Sequence, residues 1–548
     1  TPLVDSAQNC LIIRLSDIGV FVFGNTQLPD SSDDSPTIGL ALLYNKLTST
    51  PPVPTLKDTW WGKGPKSVES AEITPFSISV KPKVIENLNA RLDAVLETLT
   101  PPLYDVNFEY GFNTVTFRKV IDFWRNKYDW KTQEKFLNSV PHFKTKISGL
   151  SIHFIHVKPK LTATQTKTHK VLPLLMLHGW PGSVREMYEI IPMLTTPRQD
   201  YDYVFELIIP SLPGYGFSEG AYRPGMNTAQ MGLIMKKLME KLGFPKFYIQ
   251  GGDWGSAIGS DMSLFFPESV LGFHSNMCFT LGPMHFVKLF LGSITWPTLF
   301  ADEISASHIY PLSKTMSKIM RESGYMHIQG TKPDTIGIAL GDSPAGLAAY
   351  ILEKFSTWTK ESWMTSPDGG LNLSDKPMKG SGGSNLMPLT ALLDNVMIYY
   401  ITGSITTSVR LYSENFAPAR LSSQVDAIPV ETVPVACARF PEELIYMPEF
   451  SIRSKFHRLV HLSDLPRGGH FAAMEEPKLL ADDVWDSVKL MELENMKDQL
   501  KKEKAEREKA EKEKAAKEKA EKARAAKEKA EKQKAAKEKV ESGKTKQA

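Results

Sequence analysis

The chain predicts an α/β fold, a mostly parallel, doubly wound sheet with a helical cap inserted into it. Three observations point there. Between residues 151 and 280, apolar runs of strand length (Leu174–Met176, Phe205–Ile209, Phe247–Ile249) alternate with helical runs, as parallel strands joined by crossover helices require. Residues 281–424 lose that alternation and read as helices, and strands return at about 427–440 and 457–462. The helical block is therefore an insertion within one sheet domain. Finally, Phe247-Tyr248-Ile249-Gln250 runs through Gly251-Gly252-Asp253-Trp254-Gly255-Ser256 into a helical run from Ala257 to Phe266. Strand, tight turn and helix, with small residues around one side chain, present that side chain at the edge of the sheet.

Taken in order, residues 1–55 are an unassigned N-terminal extension. Its apolar run Leu11–Phe23 is too short to span a bilayer and carries Arg14 and Asp17. The chain opens on Thr1, which leaves room for a further N-terminal piece ahead of it. Residues 56–150 form an N-terminal region with helical runs at Pro82 to Leu99 and Phe117 to Phe136. Residues 151–280 supply the first part of the core, 281–424 the cap and 425–490 the second part of the core. Within the cap, the stretch from Pro377 to Pro388, with Lys379-Gly380-Ser381-Gly382-Gly383-Ser384, reads as a flexible insertion.

Residues 491–548 are a different material. They hold twenty Lys or Arg against fourteen Asp or Glu, so the tail is +6 and the rest of the +3 chain is −3. Ala-Ala-Lys-Glu-Lys-Ala-Glu-Lys recurs from Ala515 and from Ala525. Alanine, lysine and glutamate favour helix, and Glu513–Lys517, Glu518–Lys522 and Glu528–Lys532 are supportive i,i+4 pairs. The composition imitates a coiled coil but lacks its apolar seam, so a solvated, partly helical tail is expected. Over the whole chain, 42% hydrophobic and 23% charged residues suit a soluble globular protein. Cys10, Cys278 and Cys437 offer no disulfide framework and no metal spacing, which fits a reducing compartment.

The side chain at the turn is Asp253, and an aspartate there says which bond is broken. A serine attacking a saturated carbon would leave an ether that water cannot readily cleave. Aspartate leaves an ester whose carbonyl can be attacked in a second step. Upstream, Val171–Leu177 reads as a buried strand entering His178-Gly179-Trp180-Pro181-Gly182-Ser183, and a helical run Val184 to Leu194 follows. This resembles the His-Gly loop that follows an early strand in α/β-hydrolases, and it would place the backbone N–H groups of Trp180 and Trp254 as an oxyanion hole. His178 has no second ligand at metal spacing and is expected to be structural. The base should follow the last strand, where Pro466-Arg467-Gly468-Gly469-His470-Phe471 stands. The acid should follow Val433–Ala438. Glu442, Glu443, Glu449 and Asp464 lie beyond it, and position past the strand end favours Glu443, with Glu442 as the fallback.

These residues resemble one family closely, the microsomal epoxide hydrolases with the juvenile-hormone epoxide hydrolases, within the α/β-hydrolases. The resemblance runs from about Trp60-Trp61-Gly62 to Trp485. It includes Phe143-Lys144-Thr145-Lys146-Ile147, Ile152-His153-Phe154-Ile155-His156, Pro213-Gly214-Tyr215-Gly216-Phe217-Ser218 and Gly468 to Pro477. It implies an N-terminal region wrapped against core and cap, Asp253 as nucleophile and His470 as base. The match in Phe440-Pro441-Glu442-Glu443-Leu444 selects Glu443 as the partner of that base. It further implies two cap tyrosines, Tyr325 and Tyr412, which hydrogen-bond to and protonate the epoxide oxygen. The implied activity is conversion of small hydrophobic epoxides to vicinal diols with no metal or organic cofactor. The implied setting is the cytosolic face of the endoplasmic reticulum or microsomal membrane, with peripheral membrane association and no nucleic acid. Two rivals differ in class. A haloalkane dehalogenase also uses an aspartate elbow but needs halide-stabilising donors where Tyr325 and Tyr412 stand. A non-catalytic binding protein of the same fold has no need of Asp253, Glu443 and His470 together. A serine esterase is disfavoured because Ser256 is not at the apex of the turn.

Overall fold

The computed structural model describes residues 49–376, 378–379 and 385–544. Leu11–Phe23 and residues 380–384 of the cap insertion lie outside the described residues. The core is a nine-stranded sheet. In chain order its strands are β1 (Ile73–Phe76), β2 (His142–Ile147), β3 (Leu150–Val157), β4 (Lys170–Leu177), β5 (Tyr203–Pro210), β6 (Phe247–Gly251) and β7 (Val270–Ser275). The cap contributes a separate antiparallel pair, β8 (Met378–Lys379) and β9 (Asn385–Leu386), before β10 (Val435–Arg439) and β11 (Leu459–Asp464) return to the main sheet.

The order across the sheet is β1-β2-β3-β5-β4-β6-β7-β10-β11. From β5 to β11 all pairings are parallel, and β6 and β10 are buried at every position. Strands covered on both faces read as unbroken apolar runs, which is why the sequence marks them. The first three strands are antiparallel additions, and β1 and β2 arise from a region whose sequence read as helical. β2 and β3 form a hairpin whose loop residues, Ser148 and Gly149, both have positive φ (50° and 88°), the left-handed turn that suits the twist of a hairpin.

Two helical runs expected from the sequence are interrupted in the structure, and a third, from Pro82, ends at Val95 rather than Leu99. The run from Phe117 to Phe136 breaks after the helix Thr114–Asn126, and Asp129 then caps a new helix, Trp130–Leu137. The run from Val184 to Leu194 becomes a 3-10 turn, Val184–Met187, and a short helix, Ile191–Thr195. Pro192 accounts for the second, because it lacks the N–H a continuous helix needs.

Residues 56–150 contact both other parts. Tyr222 N–H of the core donates to Trp61 O (3.0 Å), and Thr116 Oγ1 donates to Pro367 O (2.8 Å) in the cap. Tyr128 Oη donates to Asp394 Oδ1 (2.8 Å) on the cap helix Leu389–Thr402, and the same carboxylate accepts from Arg185 Nε (3.0 Å). Asp394 is fully buried. Burial pushes its pKa up to about 6 against the pull of Arg185.

The cysteine expectation is corrected. Cys278 and Cys437 form a disulfide, with Cα atoms 5.9 Å apart. β7 and β10 are sheet neighbours, with Ser275 opposite Cys437, so lateral pairing brings together residues 159 positions apart in sequence. The last helix spans Pro477–Lys544. Its early residue Trp485 stacks on Tyr203 (5.2 Å) and accepts that tyrosine's hydroxyl at its backbone oxygen (2.6 Å). From Leu490 the chain forms a second unit, described as helix to Lys544, with every residue from 501 to 539 exposed.

Candidate active site

β5 and β6 flank β4 on opposite sides, so the chain leaves β4 and β6 around a point where the winding direction reverses. Open α/β sheets hold their ligands in the crevice at the carboxyl ends of such strands. Asp253 sits there, immediately after β6 and at the first position of the helix Asp253–Phe265. Its φ of 47° lies in a region that disfavours ordinary side chains and costs on the order of 1–3 kcal/mol. Close packing holds it there. A Cβ at residue 255 would lie 2.2 Å from Leu177 O, and a Cβ at residue 179 would lie 2.0 Å from Asp253 Oδ1. Glycine is needed at both places.

The loop after β4 reaches Asp253 directly: Trp180 N–H donates to Asp253 Oδ1 at 2.8 Å. Trp254, the other expected oxyanion donor, is the second residue of the Asp253 helix. His178 is buried between two backbone groups. Its Nδ1 lies 3.0 Å from Gly179 O, and its Nε2 accepts from Leu212 N–H at 3.2 Å. Burial brings its pKa down to about 4. It is a neutral strut joining the loop to the residues after β5.

His470 faces Asp253 from the loop after β11. Its Nε2 is 3.3 Å from Asp253 Oδ2, and its Nδ1 is 2.6 Å from Glu443 Oε1. Glu443 follows β10 by four residues and is buried with it, and its Oε1 also accepts from Leu444 N–H (2.7 Å). Glu442 meets this loop through its backbone, where its N–H donates to Gly468 O (3.1 Å) and the residue forms a parallel bridge with Gly469. Burial opposes a charge on His470, but the Glu443 and Asp253 carboxylates outweigh it and hold the pKa well above the ordinary histidine range.

Tyr325 and Tyr412 come from two packed cap helices, Gly324–Thr331 and Ile405–Asn415. Their rings are 5.8 Å apart and nearly perpendicular. Tyr325 stacks on Trp180 (5.4 Å, 8°), and Tyr412 meets the edges of Trp180 (5.8 Å) and Trp254 (4.9 Å). Burial raises both phenol pKa values most, with the Asp253 charge next for Tyr325, and with Tyr325 and then Asp253 next for Tyr412, so both keep their protons as donors. The structure thus gathers Asp253, His470, Glu443, Trp180, Trp254, Tyr325 and Tyr412 around one point.

It also adds supports that the sequence reading missed. Asn395 Nδ2 donates to Pro181 O (2.8 Å), its Oδ1 accepts from Ser183 Oγ (2.7 Å), and Tyr399 Oη donates to Gly182 O (2.7 Å). One cap helix therefore fixes the backbone of the Trp180 loop. The available signal was Asp394-Asn395, a polar pair inside the apolar run LTALLDNVMIYYIT. Glu475 accepts from Gly469 N–H and Phe471 N–H, each at 2.7 Å, and so grips the chain on both sides of His470. Burial pushes its carboxyl up to about 8. Trp358 O accepts from His470 N–H (3.2 Å), and the Trp358 ring covers the imidazole at 5.0 Å.

Comparison with known proteins bears on this arrangement. Residues 73–187 match the model described as the epoxide hydrolase N terminus, and residues 173–370 match the alpha/beta hydrolase fold. Juvenile hormone epoxide hydrolase 1 of Ctenocephalides felis is 52% identical over 452 residues, covering 82% of this chain and 93% of that protein. Epoxide hydrolase 1 of Sus scrofa is 46% identical over 443 residues, covering 80% and 93%. The crystal structure of juvenile hormone epoxide hydrolase from Bombyx mori has a TM-score of 0.74 at 43% identity, covering 80% of this chain and 99% of that one.

Proposed function

This chain belongs to the epoxide hydrolase family and is an epoxide hydrolase, and from that premise we propose that it converts epoxides to vicinal diols through a covalent ester on Asp253. The observation that carries the proposal is the double contact of one carboxylate, with Oδ1 held by Trp180 N–H and Oδ2 facing His470. With Oδ1 held, Oδ2 is the attacking atom. It bonds to an epoxide carbon, the C–O bond breaks, and Tyr325 and Tyr412 supply hydrogen bonds and a proton to the departing oxygen.

The product of that step is a neutral ester, and this changes His470. Two carboxylates hold its pKa up in the resting protein, and esterification removes the charge of one. The imidazole becomes easier to deprotonate just when a base is required. His470, still oriented by Glu443, then takes a proton from water as the water oxygen attacks Asp253 Cγ. Trp180 and Trp254 N–H groups hold the oxyanion until it collapses and releases the diol.

The experiment is the intact mass of the His470→Gln variant after exposure to styrene oxide, a terpenoid epoxide and a chloroalkane. The expected outcome is gain of one whole epoxide mass, mapping to Asp253. An adduct from the chloroalkane alone would make the protein a dehalogenase. No adduct, from a folded variant whose wild type releases no diol, would favour a binding protein.

We also propose that the enzyme works against a membrane surface. Among the described residues no single helix is long and apolar enough to cross a membrane. What supports surface association is the first part of the cap, residues 281–301, which has one charged residue, Lys288, and no acid. It exposes Phe286, Phe290, Leu291, Ile294, Trp296 and Leu299, an apolar set with an aromatic anchor of the kind that settles into a lipid interface. Flotation with phosphatidylcholine/phosphatidylserine vesicles should carry the wild type and lose the Phe290→Ser/Trp296→Ser variant. Equal flotation of the two would reject this face.

A further inference from the structure

We infer that a small cavity on the core side of Asp253 is the chamber of the hydrolytic water, and that Glu186 and Gln250 hold that water for attack on the Asp253 ester. The inference rests on the ester route proposed above.

The cavity measures about 20 Å³. A volume of about 10–15 Å³ on this measure accommodates one water, so the chamber takes a water and excludes an epoxide. Asp253, His470, Glu186, Gln250 and Asn276 are among its lining residues, and no residue of the cap, 281–424, contributes to it. Tyr325 and Tyr412, in the cap, are not among its lining residues. Asp253 therefore has two approaches, one under the phenols for the epoxide and one from the core for water.

Two polar side chains equip the chamber, and the sequence reading assigned neither. Glu186 lies on the buried 3-10 turn after the Trp180 loop. Its carboxyl rests against residue 182, where a Cβ would be only 1.5 Å from Glu186 Oε1; glycine at 182 opens its path. Burial pushes its pKa up to about 8, with His470 pulling it down and Asp253 pushing it further up. At neutral pH it is chiefly a carboxylic acid, offering a donor and an acceptor together. Gln250, in β6, is 1% exposed, and its Nε2 donates to Asn276 Oδ1 (2.9 Å). Its Oε1 has no hydrogen-bond partner among the described residues. A buried acceptor left unmade costs about 1–3 kcal/mol, and a water in the chamber satisfies it.

The atoms of the second step then balance. The water oxygen bonds to Asp253 Cγ while its O–H bond breaks and the proton passes to His470 Nε2. The carbonyl electron pair moves to Oδ1, against Trp180 N–H. Collapse breaks the bond between Cγ and the alkylated oxygen, His470 returns the proton to the departing alkoxide, and the Asp253 carboxyl so formed gives up its own proton to replace the one the tyrosines supplied to the epoxide oxygen. Glu186 and Gln250 hold the water's remaining hydrogen and lone pair, so that it meets Cγ from the core side.

The test separates the two chemical steps. Glu186→Met removes both polar atoms at similar volume, whereas Glu186→Gln keeps one donor and one acceptor. Single-turnover mixing with styrene oxide, followed by intact mass, reads formation and decay of the ester. Glu186→Met should slow decay by up to about 100-fold, the scale of a misplaced reactant, with formation changed less than about threefold. Ester then accumulates in the steady state, and kcat and KM fall together. Glu186→Gln should restore most of the decay rate. Gln250→Met is the second variant, shifted in the same direction, and stands in if Glu186→Met does not fold. Equal slowing of both steps, or no change in decay, would overturn the inference. If His470→Gln also accumulates no ester, the covalent route itself is wrong; if it does and the Glu186 and Gln250 variants do not, only the water chamber is.

Discussion

The two walls around Asp253 are made in different ways. The core wall consists of strand ends and tight turns, in which Trp180 N–H, Asp253 and His470 are placed by backbone geometry to within a hydrogen bond. The cap wall consists of helix faces, where Tyr325 and Tyr412 are placed by rings stacked on Trp180 and Trp254. Backbone placement suits atoms that form and break bonds, because small displacements there cost rate steeply. Ring packing suits a surface that receives substrates of differing shape. Trp180 belongs to both walls, since its backbone binds the carboxylate and its ring seats the tyrosines.

If the walls divide the chemistry, variants should divide by step. The largest effect is expected from the cap. Tyr325→Phe and Tyr412→Phe each remove one donor to the opening epoxide and should slow ester formation by about 10²-fold or more, the usual loss for such a donor. Ester decay, read by single-turnover mass, should stay within about threefold. Asn395→Ala is the sharper probe. It lies in the cap by sequence but supports the core wall through Pro181 O and Ser183 Oγ. We expect slower ester decay, by about tenfold, and a stability loss of about 1–3 kcal/mol for the bonds left unmade. If Asn395→Ala slowed only ester formation, the division would follow the chain rather than the walls.

The same contrast explains what could be read from the sequence. Asp253, His470 and the Trp180 loop each sit in a short local pattern, because strained turns and close backbone approach demand glycines beside the working residue. Glu443 needed family resemblance to separate it from Glu442, since both follow the same strand end. Tyr325 and Tyr412 rested on resemblance, because a helix-borne tyrosine has no local mark of its role. Asn395, Tyr399 and Glu475 were missed. Asn395 and Tyr399 act across more than 200 residues, and Glu475 acts across a turn whose shape the residue types do not reveal. The disulfide was misread for the same reason, as it depends on which strands lie side by side. β1 and β2 were overlooked as edge additions, half exposed and without the apolar run of a central strand.

The smallest expected effect concerns the core wall alone and is a matter of pH. His178 has a folded pKa of about 4 against about 6.5 for an unfolded histidine. The unfolded chain therefore takes up a proton first as the pH falls. Stability contributed by neutral His178 is intact above pH 6.5 and is lost progressively down to about pH 4. The difference between the two values corresponds to about 3 kcal/mol across that window. His142, His153 and His285 are also lowered by burial and contribute to the same slope, so the difference between variants is the quantity to read. His178→Asn should lose about 1–3 kcal/mol at pH 7.5, through the Leu212 N–H bond it weakens. Its denaturation midpoint should then fall less steeply than that of the wild type between pH 6.5 and 4.5. Because the lost contact is behind the loop rather than at Asp253, both ester steps should change by less than tenfold. A parallel pH slope in the two proteins would mean that the imidazole is not held neutral, and that Trp180 is positioned by the glycine contacts and Asn395 alone.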